Sequence, residues 1–153
     1  MASRKRGARA KAGTVHERAL TPFETRRLLL DTHTFLWWLA DSPRLGARAR
    51  RAIAHAGEVW LSAASVWEMS IKVSLGKLEL PRDADIEGEL VNQGFRALPI
   101  DIPHAMAAGA LRHHHRDRFT RMLVAQAQVE GLTIVTADES ISIYGGRVLS
   151  ALD

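Results

Sequence analysis

Leu28-Leu29-Leu30-Asp31-Thr32-His33 runs an apolar strand segment straight into an acid and a polar turn. Ile134-Val135-Thr136-Ala137-Asp138-Glu139 repeats that pattern near the other end of the chain. Short apolar runs bounded by polar turns read as buried strands. Open α/β sheets take their ligands outside the carboxyl ends of the strands, and carboxylates clustered there hold Mg²⁺ or Mn²⁺. Two strands that each end on an Asp therefore predict a shared carboxylate site, with phosphodiester chemistry as the matching reaction class.

Working outward, residues 27–31 read as the first strand and 32–40 as a helix opened by a Thr, with Asp41-Ser42-Pro43 breaking it. A second helix is predicted over 46–55, and Glu58-Val59-Trp60-Leu61-Ser62 as a strand leading directly into an amphipathic helix over 63–75. Gly76 stops that helix. A polar helix over 85–93 ends at Gly94, a short strand follows over 95–100, and Pro103 opens a helix to Leu111. After the loop around His113-His114-His115, a helix from about Phe119 to Glu130 is closed by Gly131, with a strand over 132–136 and an edge strand over 147–149. Strands separated by helices at this rhythm are crossover units, which predict a mainly parallel sheet with helices on both faces.

The chain has 153 residues, 46% hydrophobic and 25% charged, which suits one globular domain with a substantial core. It contains no Cys, so disulfides, thiolate metal sites and Cys nucleophiles are excluded, as suits a cytoplasmic protein. No apolar stretch reaches the roughly 18 residues of a membrane span, and the basic amino terminus lacks the apolar run of a signal peptide. Charge is uneven: residues 1–27 carry eight Lys/Arg against two Glu, a net +6, which leaves −2 for residues 28–153. The division expected is a basic, disordered extension over 1–27, able to attract nucleic-acid phosphates, and a folded domain over 28–153.

Each candidate residue has a plainer reading beside the chemical one. Asp31 and Asp138 could simply cap the helix or turn that follows each strand, a common task for Asp. Glu68 could form an exposed ion pair with Lys72 at i+4, worth about 0.3 to 0.5 kcal/mol. Trp37, Trp38, Trp60 and Trp67 read as core or dimer-interface aromatics, with base stacking the lesser alternative. His113-His114-His115 lacks the i, i+4 spacing of a helical zinc pair and reads as a solvated loop, with phosphate contacts assigned to Arg116, Arg118 and Arg121. Asp117 either caps the following helix or supplies a ligand. Asp31-Thr32-His33-Thr34 also resembles the start of a haloacid-dehalogenase-like phosphatase, but that motif needs a second Asp where His33 stands.

Four ordered strings carry a more specific resemblance: Leu28-Leu29-Leu30-Asp31-Thr32-His33-Thr34-Phe35-Leu36-Trp37-Trp38-Leu39, the segment 61–72 around Trp67-Glu68, 114–127 around Arg121-Met122-Leu123-Val124, and 130–139 ending Asp138-Glu139. Together they resemble the PIN-domain ribonucleases, and within them the VapC toxins of bacterial toxin–antitoxin pairs. The resemblance covers 28–153 and implies an α/β/α sandwich in which converging acidic residues bind Mg²⁺ or Mn²⁺ for RNA hydrolysis. Asp31, Glu68 and Asp138 fall on the first, second and last acidic positions. The third, an Asp in the family, is Thr120 here, a neutral hydroxyl that weakens the ligand set. Two routes around it are open: Asp117, one helical turn earlier, reaches the same cavity, or Thr120 holds a metal-bound water in a site where Asp31 and Asp138 suffice. The alternative is a catalytically impaired PIN-like subunit that acts by binding an antitoxin and, through it, operator DNA. The implied partners are a second copy of the chain, a small VapB-type antitoxin whose tail occludes the acidic groove, and structured RNA, with no membrane.

Overall fold

The computed structural model describes residues 26–112 and 117–153. The expectations for residues 1–25 of the basic extension, for His113-His114-His115 and for Arg116 therefore lie outside the described residues, while Arg27, counted in that extension, is the first residue of β1. The elements run β1 (Arg27–Leu30), α1 (Thr32–Leu39), α2 (Ala47–His55), β2 (Glu58–Ser62), α3 (Ala63–Ser74), α4 (Ile86–Gln93), β3 (Arg96–Leu98), α5 (Ile102–Ala110), α6 (Arg118–Glu130), β4 (Thr133–Thr136), a 3₁₀ helix (Glu139–Tyr144) and β5 (Val148–Ser150). The five strands form one sheet in the order β3-β2-β1-β4-β5, and every pair is parallel.

The sequence of β1 explains its central place. Leu28, Leu29 and Leu30 are all fully buried, as expected where both faces of a parallel strand are covered. Alternation sends Leu28 and Leu30 into a core with Phe35, Ile53, Leu61 and Met69, under α1 to α4. Leu29 faces a second core with Leu123, Val124, Ile134 and Ile141, under α6. The result is a three-layer arrangement with a wholly parallel sheet, as the alternation of strand and helix predicted. Gly94 and Gly131 close α4 and α6 in the left-handed conformation (φ 71° and 68°), which a side chain disfavours.

Asp31 caps α1, as its plainer reading allowed: its carboxylate accepts the Thr34 N–H at 2.8 Å, and Thr32 is the first helical residue. One local detail differs from expectation. The segment after Asp138, read as a turn, is a 3₁₀ helix whose Ile141 is buried in the second core.

Chain order fixes where a ligand fits. The chain leaves β1 towards β2 and β3, then returns on the other side of β1 as β4, so the direction of progression reverses between β1 and β4. A crevice opens at such a reversal, beyond the carboxyl ends of the strands. Leu30 pairs with Val135 there, and the Asp31 N–H donates to the Val135 carbonyl at 3.1 Å, which binds the two Asp-bearing ends together.

Candidate active site

Above that reversal lies a cleft of about 190 Å³ lined by Asp31, His33, Glu68, Lys72, Asp117, Phe119, Thr120 and Asp138, with Thr32, Leu123 and Ile141 completing its wall. The capping and site readings of the aspartates prove compatible. Asp31 Oδ1 caps α1, and Asp31 Oδ2 accepts the Thr136 hydroxyl at 2.5 Å. Asp117 Oδ1 caps α6 by accepting the Phe119 N–H at 2.9 Å, and its Oδ2 accepts the Thr120 hydroxyl at 3.3 Å. Asp138 Oδ1 accepts the Ser140 N–H at 2.9 Å and the Ser140 hydroxyl at 2.6 Å. Each carboxylate is oriented by local backbone, and two of them sit at the positive ends of α-helices, which offsets part of their mutual repulsion.

Glu68 enters from α3. Met69 and Ser65 turn into the protein, so helical spacing leaves Glu68 and Lys72 on a common flank above the cleft. Their charged groups are 3.9 Å apart. This pair is the one the plainer reading anticipated, but it borders the cleft instead of standing alone on an exposed face. Among the described residues, Lys72 is the one Lys or Arg in the cleft wall, against four carboxylates.

The other basic candidates separate. Arg118 is exposed at the first position of α6, beside Asp117. Arg121 points away: its Nη2 donates to the carbonyls of Ala108 at 3.0 Å and Leu111 at 3.4 Å, closing the carboxyl end of α5. The phosphate contact expected of Arg121 is thus replaced by a structural one, because helix ends leave carbonyls in need of donors.

Sequence reasoning missed Thr136, which is 2% exposed. Its hydroxyl donates to Asp31 Oδ2 and accepts the Asp138 N–H at 3.0 Å, bridging the two strand-end acids. A signal for it existed, since it is the polar residue that closes β4 directly after the apolar pair Ile134-Val135, two residues before Asp138. His33, predicted only as part of a turn, also lines the cleft.

The donor set fits a hard divalent cation. All the candidate ligand atoms are carboxylate or hydroxyl oxygens, the chemistry that suits Mg²⁺ and Mn²⁺ and is poor for soft metals. A second group of ligand-type residues, Asp101, His104 and Glu130, has atoms within 4.8 Å of one another. There His104 Nδ1 accepts the Asp101 N–H at 3.1 Å, and Nε2 lies 2.8 Å from Glu130 Oε1. Both ring nitrogens of this buried His are engaged, so the group serves as a clasp between α5 and α6.

With this geometry in place, comparison with known proteins is informative. Residues 28–146 match the model of the PIN domain family. A 29% identical relative over 115 residues, covering 74% of this chain and 88% of its own length, is ribonuclease VapC22 of Mycobacterium tuberculosis. Among solved structures, DNA-bound VapBC from Salmonella typhimurium aligns with TM-score 0.62 at 18% identity, covering 83% of this chain and 99% of that one. FitAcB from Neisseria gonorrhoeae aligns with TM-score 0.59 at 23% identity, over 81% and 97% of the two chains. At those identities the structures speak for the fold.

Proposed function

Since the chain belongs to the PIN domain family, we propose that it is a divalent-metal-dependent endoribonuclease, the toxin of a type II toxin–antitoxin pair. The observation that carries this reading is the convergence of Asp31, Glu68, Asp117 and Asp138 on one cleft at the sheet's reversal point. Nuclease activity is supported by the ribonuclease VapC22 relative, and an antitoxin partner by the likeness to VapBC.

In this reading Asp31, Glu68 and Asp138 hold Mg²⁺ or Mn²⁺, and Asp117 supplies the carboxylate that Thr120 lacks. A divalent ion there would lower the pKa of the attacking water and neutralise charge on the phosphoryl oxygens. Glu68 serves either as a ligand or as the base that accepts the proton of that water. Lys72 and the exposed Arg118 attract RNA phosphates, and Thr136 fixes the orientation of Asp31. Thr120 donates to Asp117 and so holds its carboxylate at the cleft. The antitoxin would place a basic side chain among the carboxylates, where an Arg fork competes with the metal. A homodimer is the proposed assembly.

Thr120 is also the observation behind the second reading, an impaired PIN subunit that acts through partner binding. Antitoxin-free protein incubated with RNA and Mn²⁺ separates the two. Cleavage is expected, lost on chelation and in Asp31→Asn, a substitution that keeps the helix cap because Asn caps as well as Asp. Cleavage by Thr120→Asp but not by the natural chain would instead establish the impaired subunit.

A further inference from the structure

We infer that Trp67 is a stacking platform for a nucleobase of the RNA strand that enters the carboxylate cleft. The inference rests on the ribonuclease reading above and adds a substrate-binding residue to it. Trp67 adjoins Glu68 on α3, yet it is 52% exposed, the largest side chain in the protein to be left so open. An indole normally gains from burial; of the core and interface positions the sequence allowed, exposure rules out the core, and the ring's surroundings point to what it meets. The indole packs edge-to-face on Phe119, with centroids 5.1 Å apart and planes at 78°. Phe119 in turn lines the cleft, and its N–H is held by Asp117 Oδ1. The chain of contacts from the carboxylates through Phe119 to Trp67 fixes the indole beside the cleft.

Three groups on one helix then match three parts of a nucleotide chain. Glu68 faces the reacting phosphate, Lys72, one turn on, attracts a phosphate, and Trp67 offers an apolar π surface. Base-on-aromatic stacking tolerates any base, because every base has a π face. Selection at this position would therefore depend on an unpaired base, not on its identity.

Binding of a short labelled single-stranded RNA, followed by fluorescence anisotropy, tests this on the full chain. Salt high enough to suppress sequence-independent phosphate contacts is required. Trp67→Ala should raise Kd about tenfold or more, with Trp67→Tyr recovering most of the loss. Mn²⁺ affinity should stay unchanged, since the ring is not a ligand, and the thermal midpoint should fall by only a few degrees (about 2 to 8 °C) as the Phe119 edge contact is lost. Unaltered RNA affinity in Trp67→Ala overturns the inference. So does unaltered RNA affinity combined with a change in molecular mass by light scattering, which would assign the ring to a protein interface. RNA bound through Trp67 but never cut would sustain the platform and defeat the nuclease reading, while RNA cut with Trp67-independent affinity would do the reverse. A natural chain that neither binds nor cuts defeats both.

Discussion

At the amino end of the sheet, Arg27 of β1 and Glu58 of β2 stand in register, and their side chains meet at 2.7 Å. Trp60 Nε1 also donates to Glu58 at 3.0 Å, Arg96 approaches it at 3.7 Å, and Arg27 reaches the Glu130 carbonyl at 2.7 Å. The carboxyl end of the same strands is built the opposite way. Four carboxylates line one cleft there, with Lys72 the single Lys or Arg of its wall among the described residues. Charges at the first end serve the fold, since each has an opposite or hydrogen-bonding partner. Charges at the second are held together by helix caps and two threonine hydroxyls despite their repulsion, as expected of a site kept for binding a cation.

The largest effects that would sharpen this contrast belong to the cleft. Asp117→Asn should lower Mn²⁺ affinity by at least about tenfold in a calorimetric titration. The fold should stay intact, since Asn retains the cap. Thr120→Asp should move affinity the other way. If Asp117→Asn binds Mn²⁺ like the natural chain, Asp117 is a cap alone and the compensation for Thr120 disappears.

Lys72→Met is the intermediate case. Removing the cation beside Glu68 should strengthen Mn²⁺ binding roughly threefold to tenfold, because a positive charge near a bound ion opposes it. The same change should raise KM for RNA if the ammonium attracts phosphate. A variant altered in neither respect would reduce Lys72 to the ordinary i, i+4 partner that its spacing first suggested.

Much of this contrast was legible before the structure. Three leucines in a row announced a strand covered on both faces, and the acid after it, echoed at Asp138, marked the neighbouring strand end. What could not be read was rotation and reach. The helical spacing of Val66, Met69 and Val73 turns Met69 inward, and it is 1% exposed, but how far α3 rolls on the sheet decides what its neighbours Trp67 and Glu68 meet. That choice left Trp67 outside, which excludes the core half of its core-or-interface reading. Arg121 is one turn past Asp117 and looked equally suited to phosphate, but the carbonyls of Ala108 and Leu111 come within its reach only when α5 packs beside α6. Thr136 joins two acids 107 positions apart in the sequence, a link that only strand pairing creates.

The smallest effect lies at the amino end. The hydrogen bond from Arg27, then that from Trp60, holds the Glu58 carboxyl below its usual 4.5. A depressed folded-state pKa means that the stabilisation is complete above 4.5 and is lost as the pH falls through the folded value. Glu58 and Arg27 retain 26% and 42% of their side-chain exposure, so solvent screens the pair. Glu58→Gln should therefore cost only about 0.5 to 1 kcal/mol at neutral pH, read from the urea midpoint. The difference between variant and natural chain should shrink below pH 4.5. RNA cleavage and Mn²⁺ affinity at neutral pH should not change, because Glu58 lies at the far end of β2 from the cleft. A loss of cleavage in a stably folded Glu58→Gln would break the division of labour between the two ends. A stability loss that persists unchanged into acid would instead show that packing of the Glu58 side chain, not its charge, ties β1 to β2.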